Sequence, residues 1–217
     1  PGQRSSPTDG VTVRACWDLV DFAEGACPNQ ATNTLTVTAE AISVTLGTNE
    51  LIYEGAGQLT YIKRFVAQVV DSAGNAVSGA TVAPVVDVSA DLGDGFGDMG
   101  YIKGFWSTST GAWVQNRIVK CANEDLNRNG VLDGDIEDVN KNGKLEPRKA
   151  DISVSFFDPT SNAGAGTNKT DINGKAYVQI EYPRNVASWD HYTLTVSASG
   201  VSGTEGRAQF RGLLPWP

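Results

Sequence analysis

Residues 176–182 alternate without a break, so that Ala176, Val178, Ile180 and Tyr182 share one face and Tyr177, Gln179 and Glu181 the other. A period of two residues belongs to a strand with one buried face, and a helix cannot use it. Similar short runs occur at 11–17, 34–38, 41–46, 59–62, 64–70, 80–88, 101–106, 113–120, 151–157, 191–197 and 206–210. No stretch carries the periodicity of an amphipathic helix. Many short strands with turns at roughly even spacing predict an all-β chain. A β-sandwich is the common way to bury one face of each strand.

The punctuation between the runs agrees. Glycine is abundant, at 24 of 217 residues. Residues 71–75 read as a turn, 91–100 as a Gly/Asp-rich loop, and Asn173-Gly174 is an Asn-Gly pair, the strongest short hairpin-turn signal. Residues 25–30 read as turn material between the first two strands, and 47–49 as the end of the third. Pro84 lacks a backbone donor, which places its strand at a sheet edge or at a bulge. A domain boundary is expected near residue 40. Residues 1–40 are then an N-terminal extension or the tail of a preceding module, and 41–217 the domain itself. Residues 1–10 read as a flexible polar lead. With no initiator Met or signal peptide, the chain is expected to be a mature product or a segment of a longer one.

Residues 121–150 break the strand pattern. They hold Asp-x-Asn-x-Asn-Gly-x-Leu-acid twice, thirteen residues apart. The first copy is Asp125, Asn127, Asn129, Gly130, Val131, Leu132 and Asp133. The second is Asp138, Asn140, Asn142, Gly143, Lys144, Leu145 and Glu146. Side chains at positions one, three and five converge when the backbone curls tightly, and glycine at position six permits the curl. The carbonyl at position seven, from Val131 or Lys144, adds an oxygen. The leucine at position eight is expected to anchor the turn on apolar surface. An all-oxygen set of this kind suits Ca2+, which takes six to eight oxygens, better than Mg2+, which tolerates irregular cages poorly. An EF-hand has its bidentate glutamate at position twelve, where this chain has Ile136 and Lys149. Glu137, one residue on, is expected to serve the first site and Asp151 the second, with Asp133, Asp135 and Glu146 in reserve. No helices flank the loops, so this is not an EF-hand pair. The expected role of the metal is structural: without it the carboxylates repel one another and the insertion loosens.

The remaining features narrow the function by exclusion. The formal net charge of -8 at pH 7 repels phosphate backbones and argues against nucleic acid as a partner. No run of about 18 apolar residues is present to span a bilayer. Cys16, Cys27 and Cys121 match no zinc site. Cys16 and Cys27 enclose a short loop and can bridge; either can instead pair with Cys121. His191, the single histidine, has no nucleophile in a catalytic spacing, and no G-x-S-x-G sequence occurs, so the chain is expected not to be an enzyme. Asp91, Asp94 and Asp98 read as a plain loop. Trp106 and Trp113 read as core packing ahead of a sugar-stacking platform.

Two turn sequences carry a resemblance. Residues 71–82, Asp-Ser-Ala-Gly-Asn-Ala-Val-Ser-Gly-Ala-Thr-Val, are similar to the D-x-x-G-N-x-V-x-G-A-x-V strand-turn-strand of bacterial Ig-like domains of the invasin/intimin (Big-1) type. Residues 170–176, Thr-Asp-Ile-Asn-Gly-Lys-Ala, resemble the T-D-x-x-G-x-A turn of the same family. Residues 121–147 resemble a calcium-loop insertion found in some bacterial surface modules of this kind. The similarity covers about residues 41–217. It implies an immunoglobulin-like β-sandwich, secreted or at the cell surface, acting as a stalk unit or as a subunit of an extracellular fibre. Its expected partners are neighbouring Ig-like modules or copies of itself. The alternative is a binding module of a secreted protein that recognises host or matrix glycan or protein. The long insertion and the two-cysteine lead depart from a plain stalk repeat.

Overall fold

The structure, a computed structural model, describes residues 11–18, 27–35, 42–161, 165–199 and 205–217. In these segments the chain is all-β. The strands are β1 (Val11–Trp17), β2 (Asn29–Leu35), β3 (Ser43–Glu54), β4 (Thr60–Val70), β5 (Thr81–Asp87), β6 (Ala90–Asp91) and β7 (Asp98–Met99). They continue as β8 (Tyr101–Ser107), β9 (Ala112–Cys121), β10 (Ser153–Phe156), β11 (Lys175–Pro183), β12 (His191–Ser199) and β13 (Gly206–Leu213). The helical content is limited to single 3-10 turns, and no described helix is long and apolar enough to cross a membrane.

Two sheets carry the core. One has the strand order β10-β11-β4-β3 and the other β13-β12-β5, and every pairing is antiparallel. The alternation read from 176–182 is what builds the first sheet. Ala176, Val178, Ile180 and Tyr182 turn inward on β11, and Phe65, Ala67 and Val69 do so on β4. In register, Val178 lies opposite Phe65 and Ala176 opposite Ala67. From the second sheet, Tyr192, Leu194, Val196 and Ala198 on β12 and Val82 and Val86 on β5 join the same hydrophobic cluster. The rings of Phe65 and Phe210 meet edge to face, 5.2 Å apart, between the sheets. Two sheets burying one face each against a shared core form a sandwich-like arrangement. Pro84 lies on β5, an edge strand, as its missing donor requires.

Some boundaries differ from the sequence reading. β3 does not stop at 47–49 but runs on to Glu54 through a register shift between Thr48 and Ile52. Its neighbour β4 holds the irregular stretch: Thr48 Oγ1 donates to Arg64 O at 2.8 Å, and the buried Lys63 Nζ donates to Asn49 O at 3.0 Å. The second strand begins at Asn29, inside residues expected to be a turn. There β1 imposes pairing, with Trp17 opposite Asn29, and Asn29 Nδ2 donates to Trp17 O at 3.2 Å. Cys16 and Cys27 form a disulfide, with 5.3 Å between their Cα atoms, and Cys121 is a free, half-buried thiol. Residues 36–38, the end of a predicted strand, lie outside the described residues.

The two turn sequences fold alike and lock together. In the first, Asp71 N donates to Asn75 O, Gly74 N to Asp71 O, and Asp71 Oδ1 receives the amides of Ala73 and Asn75. In the second, Asp171 N donates to Lys175 O, Gly174 N to Asp171 O, and Asp171 Oδ1 receives the amides of Asn173 and Lys175. The buried Thr170 joins them: its Oγ1 receives Ala80 N at 2.9 Å and donates to Val77 O at 2.6 Å. Gly174 has φ 71°, and its carbonyl oxygen accepts Val69 N at 2.8 Å.

Candidate metal centre in the 121–150 insertion

The insertion leaves β9 at Cys121 and returns to the sheet at β10. Asn123, buried, fixes its entry: Nδ2 donates to Val88 O at 2.9 Å, and Oδ1 receives Asp125 N at 2.8 Å. Leu145 and Pro147 are buried at the exit, so the second leucine anchors its turn, whereas Leu132 is half-buried.

The two repeats fold into the same turn, hydrogen bond for hydrogen bond. Asp125 receives the amides of Asn129 (3.0 Å) and Gly130 (3.0 Å); Asp138 receives those of Asn142 (2.9 Å) and Gly143 (2.8 Å). Asn127 Oδ1 receives Asn129 N, and Asn140 Oδ1 receives Asn142 N. Asn129 Oδ1 receives Val131 N, and Asn142 Oδ1 receives Lys144 N. Asn127 and Asn129 both donate their side-chain amides to Asp133 Oδ2; Asn140 and Asn142 do the same to Glu146 Oε2. The curl needs left-handed backbone at the same places in each copy. Gly130 and Gly143 take φ 77° and 73°, and Arg128 and Lys141 take 62° and 58°. Glycine at position six is therefore a backbone requirement.

Each turn is closed by a glutamate from the other repeat. Glu137 receives Leu126 N (3.2 Å) and Asp133 N (2.8 Å) from the first turn. Glu124 receives Asn140 N (3.3 Å) and Glu146 N (3.0 Å) from the second. The sequence reading placed Glu137 at the first turn, and the structure brings it there. It placed Asp151 at the second, and the structure does not. Asp151 instead accepts Arg148 N at 2.9 Å and Arg148 Nη2 at 3.1 Å. Glu124 occupies the position, and sequence reasoning missed it. The signal is present in the sequence: both copies begin Glu-Asp, so the repeat starts one residue before its Asp-x-Asn-x-Asn-Gly core. Asp135 lies exposed in a single 3-10 turn, Gly134–Ile136.

The electrostatics of this arrangement are lopsided. Glu124 is 1% exposed, Asp125 4% and Glu137 4%. Among the described residues none of the three has a Lys or Arg within ion-pair distance. Seven carboxylates stand against three basic side chains between Glu124 and Glu146. Burial pushes the Glu124 carboxyl up, against the backbone donors of Asn140 and Glu146. The side-chain amides of Asn127 and Asn129 hold Asp133 below the usual carboxylate range. Burial also raises the Tyr101 hydroxyl, which receives Asn140 Nδ2 at 3.4 Å. Buried carboxylates without cations are costly, and backbone amides offset only part of that cost.

The donors are chemically suited to a hard cation: carboxylates, Asn side-chain oxygens and backbone carbonyls, with no sulfur or imidazole. Among the described residues no three carboxylate, imidazole or thiol groups gather closely enough to form a metal centre alone. Amide and carbonyl oxygens must therefore supply much of any coordination shell.

A cleft of about 610 Å³ borders the second turn, between residues 144–148 and 185–190. On the 91–100 loop, Asp94 forms an ion pair with Lys120, and the Lys120 ammonium also lies over the Phe96 ring at 4.8 Å. That loop is thus tied to β9 through Lys120. Trp106 and Trp113 occupy opposed register positions on β8 and β9; their side chains, with those of 103–105, 112 and 114–119, lie outside the described residues. His191 is fully buried, and burial, then Lys120, holds its imidazole below the usual range. Compared with protein-family models, curated proteins and solved structures, the chain matches none.

Proposed function

We propose that this chain is an extracellular, non-catalytic Ig-like module whose 121–150 insertion is stiffened by calcium. It acts as a stalk unit or fibre subunit through edge-strand and interface contacts. The observation that carries the reading is the trio Glu124, Asp125 and Glu137, buried and without basic partners among the described residues, in two turns of matching hydrogen bonding. In the first turn Asp125, Asn127, Asn129, Asp133, Glu137 and the Val131 carbonyl would hold the ion. In the second, Asp138, Asn140, Asn142, Glu146, Glu124 and the Lys144 carbonyl would do so. Calcium supplies the positive charge these carboxylates lack and ties the two repeats into one unit. The interlocked turns around Thr170 support the resemblance to bacterial Ig-like domains, since both family sequences meet at one place in the fold.

The N-terminal hairpin supports the edge-pairing part. Among the described residues β1 and β2 pair only with each other, so both outer edges keep free backbone groups. Trp17 is 52% exposed. A two-stranded sheet is marginal alone, and an open edge is a template for a further strand. A neighbouring module or a second copy is the natural partner.

The test is calorimetry on chelated protein with and without calcium. Ligand at about 100 times its Kd stabilises by about 2.7 kcal/mol, so the melting temperature should climb with calcium concentration. The Asp125→Ala, Asp138→Ala double variant should not respond. A melting curve and amide spectrum unmoved by millimolar calcium would sink the reading. A second reading, a glycan-binding module, is favoured by the opposed register of Trp106 and Trp113. A glycan array on wild type and Trp106→Ala decides it.

A further inference from the structure

Asp190 is 6% exposed, and its Oδ2 is buried with no hydrogen-bond partner. Among the described residues no Lys or Arg lies within ion-pair distance of it. The backbone around it is fixed. Ile102 N donates to Trp189 O (2.9 Å), His191 N to Gly100 O (2.8 Å), and Leu214 N to Asp190 O (2.9 Å). An acceptor buried this way without a partner destabilises the fold, and a neutral or apolar side chain would relieve the cost. Packing alone gives no reason for an acid at this position.

Asp190 lines the 610 Å³ cleft beside the second turn. Ile102, Leu145, Pro147 and Val186 give the cleft apolar wall, while Glu146 and Asp151 add negative potential. Both of those acids are already engaged, Glu146 with Asn140 and Asn142, and Asp151 with Arg148. Lys144, also in the lining, is exposed and forms no ion pair there among the described residues. A carboxylate spreads its charge over both oxygens, so an ionised Asp190 adds to the negative potential of the cleft it lines.

The chemistry of the occupant follows from what the cleft offers. A divalent cation needs six or more oxygens, and the other two acids of the lining, Glu146 and Asp151, are already engaged. A guanidinium is a planar fork that pairs with both oxygens of one carboxylate, whereas the buried atom without a partner here is the single oxygen Oδ2. An ammonium is a point charge on an aliphatic stem, and it suits one orphan carboxylate at the end of apolar walls. We propose that this cleft receives a lysine side chain from a partner polypeptide, with the ammonium on Asp190 and the stem along Ile102 and Val186. Glu146 lines the cleft and is also a proposed ligand of the second turn, so the affinity is measured with and without calcium.

The experiment is a titration of the 15N-labelled full chain, in saturating calcium and again in chelator. The probe is Nα-acetyl-lysine N-methylamide; the controls are the matching norleucine and arginine amides. Saturable shifts are expected at the amides of Ile102, Val186 and Asp190, with the lysine probe at least about tenfold tighter than norleucine or arginine. Asp190→Asn keeps the shape and should lose about tenfold. Norleucine binding as tightly as lysine, undiminished binding to Asp190→Asn, or no saturable shift at these amides overturns the proposal. If Asp190→Asn fails to fold, the comparison of probes on the wild-type protein still decides.

Discussion

Glu124 and Glu137 stand thirteen residues apart, and each closes the turn that begins after the other. The carboxylate of Glu137 gathers two backbone amides of the first turn, and that of Glu124 gathers two of the second. Neither repeat is complete alone. The pair converts two short Asp/Asn turns, which would each fray as an exposed loop, into one reciprocal unit.

That reciprocity makes a directional prediction. Glu124→Gln should loosen the second turn and spare the first, although Glu124 adjoins the first in sequence. Amide exchange should accelerate at Asn140 and Glu146 and stay unchanged at Leu126 and Asp133. Glu137→Gln should give the converse. Loss of a buried charged acceptor costs about 1–3 kcal/mol locally. Acceleration of all four amides in both variants would show a single cooperative loop in place of two cross-closed turns.

The joint between the two family-like turns is a second place to measure. Thr170→Val removes the hydroxyl that serves both Ala80 N and Val77 O, leaving a buried donor and acceptor unpaired. A loss of about 1–3 kcal/mol is expected in urea denaturation, with an unchanged slope. Gly174→Ala should cost at least as much. Its φ is 71°, and a Cβ there would stand 2.5 Å from Val69 O. Thr170→Ser, which keeps the hydroxyl, should retain most of the stability.

Much of this was legible in the chain, for identifiable reasons. The strict alternation of 176–182 became β11 because a two-residue period has only one way to bury a face. The Gly/Asn signals at 71–75 and 173–174 became tight turns because left-handed backbone selects those residues. β2 was less legible. Asn29 and Gln30 are poor strand formers, and only pairing with β1 places them in one. In the insertion, the Asp, Asn and Gly positions were visible, since their spacing is local. The exchange of Glu124 and Glu137 was not, because it depends on how one turn docks on the next. Asp151 was credited with a role for the same reason; Arg148, three residues away, holds it.

Asp190 sets a pH dependence. Burial first, then the charges of Asp151 and Glu146, pushes its carboxyl up to about 8. Unfolded, the group titrates near 4. Between those values the folded state binds the proton and the unfolded state has lost it, so stability falls as pH rises. The slope from this group reaches at most about 1.4 kcal/mol per pH unit, and it vanishes above pH 8, where both states are ionised. In calcium-free buffer, Asp190→Asn should flatten the curve between pH 4.5 and 8. A cation seated in the cleft favours the ionised form and narrows the window. Parallel curves for variant and wild type would show that another group sets the slope.

The N-terminal hairpin gives the last prediction. β1 and β2 pair with each other and, among the described residues, with no other strand. All described side chains in the hairpin are exposed or half-buried. The Cys16–Cys27 disulfide lies at its loop end, where Cys16 faces Gln30 and Trp17 faces Asn29. Closing a loop of this length removes chain entropy worth about 3 kcal/mol from the open state, on the order of the whole stability of a small hairpin. Replacing both cysteines with serine should therefore free the amides of the hairpin to exchange rapidly. The melting of the sandwich should stay within about 1 °C, because the core residues do not depend on β1 or β2. If the melting temperature instead falls by many degrees, the hairpin is an integral part of the domain and not an edge held out for a neighbour.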